Sequence, residues 1–212
     1  MILYGSSISP FVRKTLAYIS EKRIGLDVKA VAPGDKDPGF REASPFGKIP
    51  GFRDGDFAIS DSTAIITYLE AKFPSPPLLP ADATSRARTI WYEEFADTIL
   101  AACMGKMFFN RVTAPRLLGR QGDLAAADKA QAEELPPLLD YIEEVIPASG
   151  HLVDDRLTLA DLAVASPFVN FAHMGGTVDA ATHPRTAAFV EAILSRPSFA
   201  PIIAQEKAFL AG

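Results

Sequence analysis

The chain has 212 residues, 48% apolar and 22% charged, enough for one large domain or two small ones to bury a core without metals or disulfides. A formal net charge of −5 with no block of Lys and Arg and no acidic tail argues against nucleic-acid binding and against disorder. A single cysteine (Cys103), no signal-peptide pattern at Met1–Ser7 and no long apolar window argue against a disulfide framework, secretion and a membrane span, so the expected location is cytoplasmic.

Ile2 to Tyr4 is a short apolar run ended by Gly5-Ser6-Ser7, the pattern of a buried strand and a loop. Ser9 then occupies an N-cap position and Pro10 the first helical one, where its missing N–H costs nothing. Phe11, Val12, Leu16, Ala17 and Ile19 follow at helical spacing. Gly25 closes that segment, and Leu26 to Val31 alternates as a strand does. Such a β-α-β start favours a parallel pair with a helical crossover. Residues 33–48, rich in Pro, Gly and charge, read as loop. Ile49–Phe52 and Phe57–Ile59 read as two strands around the hairpin signal Asp54-Gly55. Asp61-Ser62 then precede a helix marked by Ala64, Ile65, Ile66, Tyr68, Leu69 and Phe73. The order is that of a thioredoxin-like α/β domain, assigned to residues 1–76.

The proline-dense stretch 74–84 ends the helix and makes a stiff linker, assigned to 77–84. From 85 to 212 the pattern is all-α. Helical spacing runs over Ser85–Arg111, Leu124–Ile146, Thr158–Ala172 and His183–Leu194, with a short piece after Pro197. Pro136-Pro137 is expected to kink or interrupt the second of these.

Four local motifs, in order, resemble the cytosolic glutathione transferase family, in particular a serine-type bacterial member. They are Ser9-Pro10-Phe11-Val12-Arg13, Gly47-Lys48-Ile49-Pro50, Asp61-Ser62-Thr63-Ala64-Ile65 and Thr158-Leu159-Ala160-Asp161-Leu162. The resemblance spans the whole chain and implies that family's fold, a thioredoxin-like domain followed by an all-α domain. It also implies glutathione as co-substrate with no permanently bound cofactor, and a homodimer.

A helix N-terminus carries partial positive charge and stabilises a thiolate. A serine hydroxyl beside the sulfur donates a hydrogen bond to the charged form without itself attacking, and the resemblance implies this role for Ser9. On its local sequence alone Ser9 reads first as an ordinary N-cap, and the other motifs turn the reading toward the thiolate role. Ser6 and Ser7 are rivals, because relatives place the serine a few residues earlier; Ser9 is preferred because it directly precedes Pro10. A redox version of the fold needs an attacking thiolate where this chain has Ser9 and Val12, so disulfide exchange is disfavoured.

The resemblance further implies a cis Pro50, with the backbone of Ile49 pairing with the cysteinyl unit of glutathione as a strand edge pairs with a peptide. Ser62 and the helix start suit the γ-glutamyl carboxylate. Asp61 suits its ammonium, with Asp where the family more often has Glu. Lys36 and Lys48 are candidates for the glycine carboxylate, and Phe11 for the wall of the thiol pocket or the core. The second, electrophilic substrate is expected between the domains. Met104, Met107, Phe108, Arg111 and Phe171 are candidate lining, although at helical spacing such residues also read as core. Asp161 with Thr158 reads as a capping box serving folding. His151, His173 and His183 lack metal-ligand spacing, so no metal is expected. Conjugation of glutathione to an electrophile is the leading reading. A glutathione-dependent isomerase and a non-catalytic scaffold for a protein partner are its rivals.

Overall fold

The computed structural model describes residues 1–211 and divides into two compact units. Met1–Leu79 and the segment from Pro197 onward form the first; Pro80–Arg196 forms the second.

The first unit is built on a four-stranded sheet. It comprises β1 (Ile2–Tyr4), α1 (Pro10–Glu21), β2 (Asp27–Lys29), α2 (Pro38–Ala43), β3 (Gly51–Asp54), β4 (Phe57–Ser60) and α3 (Ser62–Lys72). The strand order is β2-β1-β3-β4. β1 runs parallel to β2 and antiparallel to β3, and β3 pairs antiparallel with β4. Side chains alternate across a strand, and the register sorts them onto two faces. Tyr4, Val31, Phe40 and Ala43 form a buried cluster with Ile2, Ile49 and Ala58, which places α2 on one face. Leu3 and its register partner Phe52 are fully buried on the other. There Phe52 meets Tyr68 of α3, with ring centroids 5.7 Å apart.

α2 falls inside the stretch expected to be loop. Its Pro and Gly content obscured a six-residue helix whose start is well signed. Asp37 accepts from the Phe40 N–H at 2.9 Å, and Pro38 follows at the first helical position. β2 is shorter than the alternation over Leu26–Val31 predicts, and its three residues are exposed.

A buried polar cluster ties α1 to α3. Glu70 accepts from Tyr18 Oη and from Lys22 Nζ, the latter at 2.6 Å, and Lys22 also donates to the Pro76 carbonyl at 2.7 Å. Each buried charge is thus paired, as burial requires.

The second unit is helical: α4 (Ala83–Glu94), α5 (Ala101–Phe108), α6 (Leu124–Lys129), α7 (Leu135–Val145), α8 (Leu159–His173) and α9 (Pro184–Leu194). Wider π-helical stretches join α4 to α5 (Phe95–Leu100), extend α5 (Phe109–Leu117) and join α6 to α7 (Ala130–Glu134). Two of the three sit at prolines: Pro115 lies inside one, and Pro136-Pro137 follow another. Missing N–H groups make a wider hydrogen-bond register locally acceptable. Where a kink or interruption was expected at Pro136-Pro137, the helix changes from the wider register of Ala130–Glu134 to α7, with the prolines in the first turn of α7. α8 is the centre of this unit, buried on all sides from Leu159 to Phe171, as a helix apolar around its whole circumference must be.

The last helix, α10 (Ala200–Ala211), belongs to the first unit, although the expected all-α domain ran to residue 212. Ser198, just before α10, donates to Glu21 at 2.6 Å, and Glu206 pairs with Arg13 of α1 inside the protein. Among the described residues no helix is long and apolar enough to cross a membrane.

Candidate active site

The sheet register gathers the predicted site residues of the first unit at one end. β1 ends at Tyr4, which pairs with Gly51, the first residue of β3. Gly51 pairs in turn with Ser60, the last residue of β4. The Gly5–Ser9 loop, the Ile49-Pro50 turn and Asp61-Ser62 therefore leave neighbouring strand ends together. The Asp61 N–H donates to the Pro50 carbonyl at 3.3 Å. β2 runs parallel to β1, so the loop after it, carrying Lys36, leaves from the same end. It is tied to the Lys48 loop by the Gly34 N–H to Gly47 carbonyl bond at 2.8 Å. This is the carboxyl end of the parallel pair, where open α/β sheets place their ligands.

Ser9 is the N-cap of α1, with an extended backbone (φ −73°, ψ 126°) and Pro10 at the first helical position. Its hydroxyl makes no capping hydrogen bond. The unpaired N–H groups and positive end of α1 lie beside a half-buried hydroxyl that the helix itself does not use. Gly5 lets α1 approach β1 this closely: a Cβ at that position would lie 2.6 Å from Val12. Ser6 and Ser7 stand elsewhere. They line a cavity of about 540 Å³ walled by Val28, Ala30 and the Pro201, Ile202 and Phe209 side of α10.

The Ile49–Pro50 bond is cis. Ile49 is half-buried, Pro50 is buried, and Ile49 precedes the β3 ladder. Asp61 caps α3: Oδ1 accepts from the Thr63 and Ala64 N–H groups at 2.9 and 3.1 Å, while Oδ2 carries neither bond. Its backbone sits at φ 83°, ψ 129°, a region that non-glycine residues occupy at a cost of about 1–3 kcal/mol. Such strain persists where the surroundings demand it, and here the demand comes from the cap and the Pro50 carbonyl together. Ser62 opens α3 and is buried. Lys36 and Lys48 are exposed, and Phe11 is half-buried.

The candidates for the second substrate do not form an open wall. Met104, Met107, Phe108 and Phe171 are all buried at 5% exposure or less, and Arg111 is engaged by Asp128 at 2.7 Å and by Gln131. Their helical spacing marks a core. Cys103 is also buried; burial pushes its thiol up to about 11, aided by the Glu134 charge, so it stays protonated near neutrality.

At α8, Asp161 accepts from the Thr158 N–H at 2.7 Å, the Leu152 N–H at 2.8 Å and the Thr158 hydroxyl at 3.2 Å. This is the folding role expected for it. Sequence reasoning missed the pair beneath Ser9. Arg13 stands in the first motif, but its partner Glu206 lies 193 residues later. The only trace of it is that Glu206 is the one acidic residue of the last helix.

Comparison with known proteins converges on one family. The description "Glutathione S-transferase, N-terminal domain" matches residues 3–77, and "Glutathione S-transferase, C-terminal domain" matches residues 119–206. Glutathione S-transferase 3 of Zea mays is 32% identical over 208 residues, covering 95% of this chain and 92% of that one. A glutathione S-transferase of Hyoscyamus muticus is 32% identical over 211 residues, covering 96% and 97%. The crystal structure of a glutathione S-transferase from Rhodospirillum rubrum superimposes with a TM-score of 0.86 at 26% identity, covering 95% of this chain and 90% of that one. With both domains matched and relatives aligned over nearly its whole length, the chain belongs to the glutathione S-transferase family.

Proposed function

We propose that this protein conjugates glutathione to an electrophilic, largely apolar substrate, and that Ser9 stabilises the glutathione thiolate. The observation that carries the reading is the open N-cap of α1, where a hydroxyl the helix leaves unbonded stands at its positive end. A thiol bound there releases its proton to solvent. The sulfur keeps the electron pair, and the Ser9 O–H donates to it. The thiolate then attacks an electrophilic carbon, forming a C–S bond, and the displaced group departs with its bonding pair or the electrons move onto an activated double bond.

The remaining candidates complete a tripeptide site in this reading. The backbone of Ile49 meets the cysteinyl unit. Ser62 and the start of α3 take the γ-glutamyl carboxylate, and the second oxygen of Asp61 takes the ammonium. Lys36 and Lys48, exposed on two tied loops, supply positive charge for the glycine carboxylate, and Phe11 lines the sulfur pocket. Glutathione is a co-substrate here, held in the thiol form by the reducing cytoplasm in which we place the protein. We also infer a homodimer. Phe46, 90% exposed on the loop before Lys48, is apolar surface available for that contact.

The test is a titration of bound glutathione across pH, followed by thiolate ultraviolet absorbance. The reading predicts ionisation well below the ordinary thiol range of about 8.5, and loss of that shift in Ser9→Ala. An unshifted thiol in the unmodified protein would refute it.

A further inference from the structure

Arg13 and Glu206 are buried with 0% and 1% of their side chains exposed. Arg13 Nε donates to both Glu206 oxygens at 2.9 and 3.2 Å, and Nη2 donates to Oε2 at 2.9 Å. The same Nη2 reaches the carbonyl of Ile8 at 3.4 Å. That carbonyl and the Ser9 N–H belong to one rigid peptide plane. The Ser9 N–H donates to the Ser6 carbonyl at 3.0 Å. The plane that carries Ser9 is therefore held at both edges, by Arg13 on one side and by the Ser6–Ser9 turn on the other.

A buried ion pair is a poor device for stability alone, because apolar replacements of similar volume are often neutral or better. What an apolar pair cannot do is hold a carbonyl. Arg13 can do so only while its charge is balanced: burial lowers the affinity of the guanidinium for its proton, and Glu206 opposes that. The side-on grip of Glu206 also fixes the azimuth of the planar guanidinium, and hence the direction of the Nη2 hydrogen.

We infer that Glu206, acting through Arg13, is a positioning residue for thiolate formation, holding the Ile8–Ser9 peptide so that the Ser9 hydroxyl meets the sulfur of glutathione. The inference rests on the assignment of Ser9 and adds to it a residue of the last helix that sequence reasoning did not connect to the site.

The experiment uses the full chain in four forms: unmodified, Ser9→Ala, Glu206→Gln, and the double variant Arg13→Met with Glu206→Leu. Each is measured for thermal stability, glutathione affinity, thiolate absorbance against pH, and kcat for an aryl halide. Glu206→Gln takes a carboxylate charge away from a buried cation and is expected to lose stability. The double variant removes both charges and is expected to keep its melting temperature. In the double variant the bound thiol should ionise closer to the free range, with kcat lower by about tenfold or more and glutathione affinity nearly unchanged. A double variant that folds and ionises glutathione like the unmodified protein overturns the inference and leaves Ser9 standing. Equal ionisation in the unmodified protein and Ser9→Ala removes the Ser9 assignment itself, and this inference with it. Should the double variant fail to fold, Glu206→Asp decides: an intermediate thiolate shift supports the inference, and an unmodified one overturns it.

Discussion

Two helix starts in this chain are built from similar residues and finished in opposite ways. α1 begins at Ser9 and α8 at Thr158, both small hydroxyl residues in extended backbone. At α8 the start is closed. Asp161 sits in the first turn, buried, and takes the N–H groups of Thr158 and Leu152 together with the Thr158 hydroxyl. At α1 the start is open. The first turn has no acidic residue, and the Ser9 hydroxyl makes no cap. A carboxylate in the first turn would occupy the positive end and repel a thiolate. In the function proposed above, the two ends direct their favourable interactions differently, α8 toward the fold and α1 toward a ligand.

Substitution at each start breaks the comparison in opposite ways. Ser9→Ala should lower kcat/KM by about a hundredfold or more, the usual cost of losing a donor aimed at developing negative charge. Its stability should move by less than about 0.5 kcal/mol, since no cap bond is lost. Asp161→Ala should do the reverse. Two buried N–H groups lose their acceptor, and denaturant unfolding should report a loss of about 3 kcal/mol, while the folded fraction retains its turnover.

A third helix start sharpens the contrast through pH. Glu143 of α7 serves as the acceptor for α9, taking the N–H groups of Arg185 and Thr186 at 3.0 and 2.8 Å. Burial raises its carboxyl, but bonds from the Thr186 and Arg185 amides and side chains outweigh this and bring it from an ordinary 4.5 to about 2. A carboxylate depressed in the folded state adds stability above its unfolded pKa and loses it as pH falls through the folded one. Melting temperature should therefore drop as pH is lowered from about 4.5 to 2, and Glu143→Gln should flatten that part of the profile.

Asp61 lies between the two extremes, its Oδ1 capping and its Oδ2 not. Asp61→Ala should cost about 1 kcal/mol for the lost cap. Asp61→Gly should cost less, because glycine tolerates φ 83° without strain. Both should raise the glutathione concentration needed for half saturation, read by titration.

The strands, α1, α3 and the hairpin were legible because each carries a local signal: alternation, a cap, or Asp54-Gly55. The three candidate motifs of the first unit were also visible as local patterns, and the register of four short strands gathers them at one end of the sheet. What escaped was information that is not local. α2 hides in a Pro- and Gly-rich stretch and lasts only six residues. The helix after Pro197 shows no sign in its own sequence that it packs with the first unit. The Arg13–Glu206 pair joins residues that no periodicity connects. Met104, Met107, Phe108 and Phe171 illustrate the converse: their apolar character was visible, but whether it faces a substrate or the core depends on packing, and they are core.

The central claim, that the open start of α1 activates glutathione through Ser9, is tested most directly by a serine scan. Ser6→Ala, Ser7→Ala and Ser9→Ala would be compared with the unmodified protein by kcat/KM for conjugation of glutathione to an aryl halide at a slightly acidic pH, where thiolate formation limits the rate. The account predicts a large loss in Ser9→Ala alone, with Ser6→Ala and Ser7→Ala close to the unmodified protein. A loss centred on Ser6 or Ser7, with Ser9→Ala fully active, would contradict it.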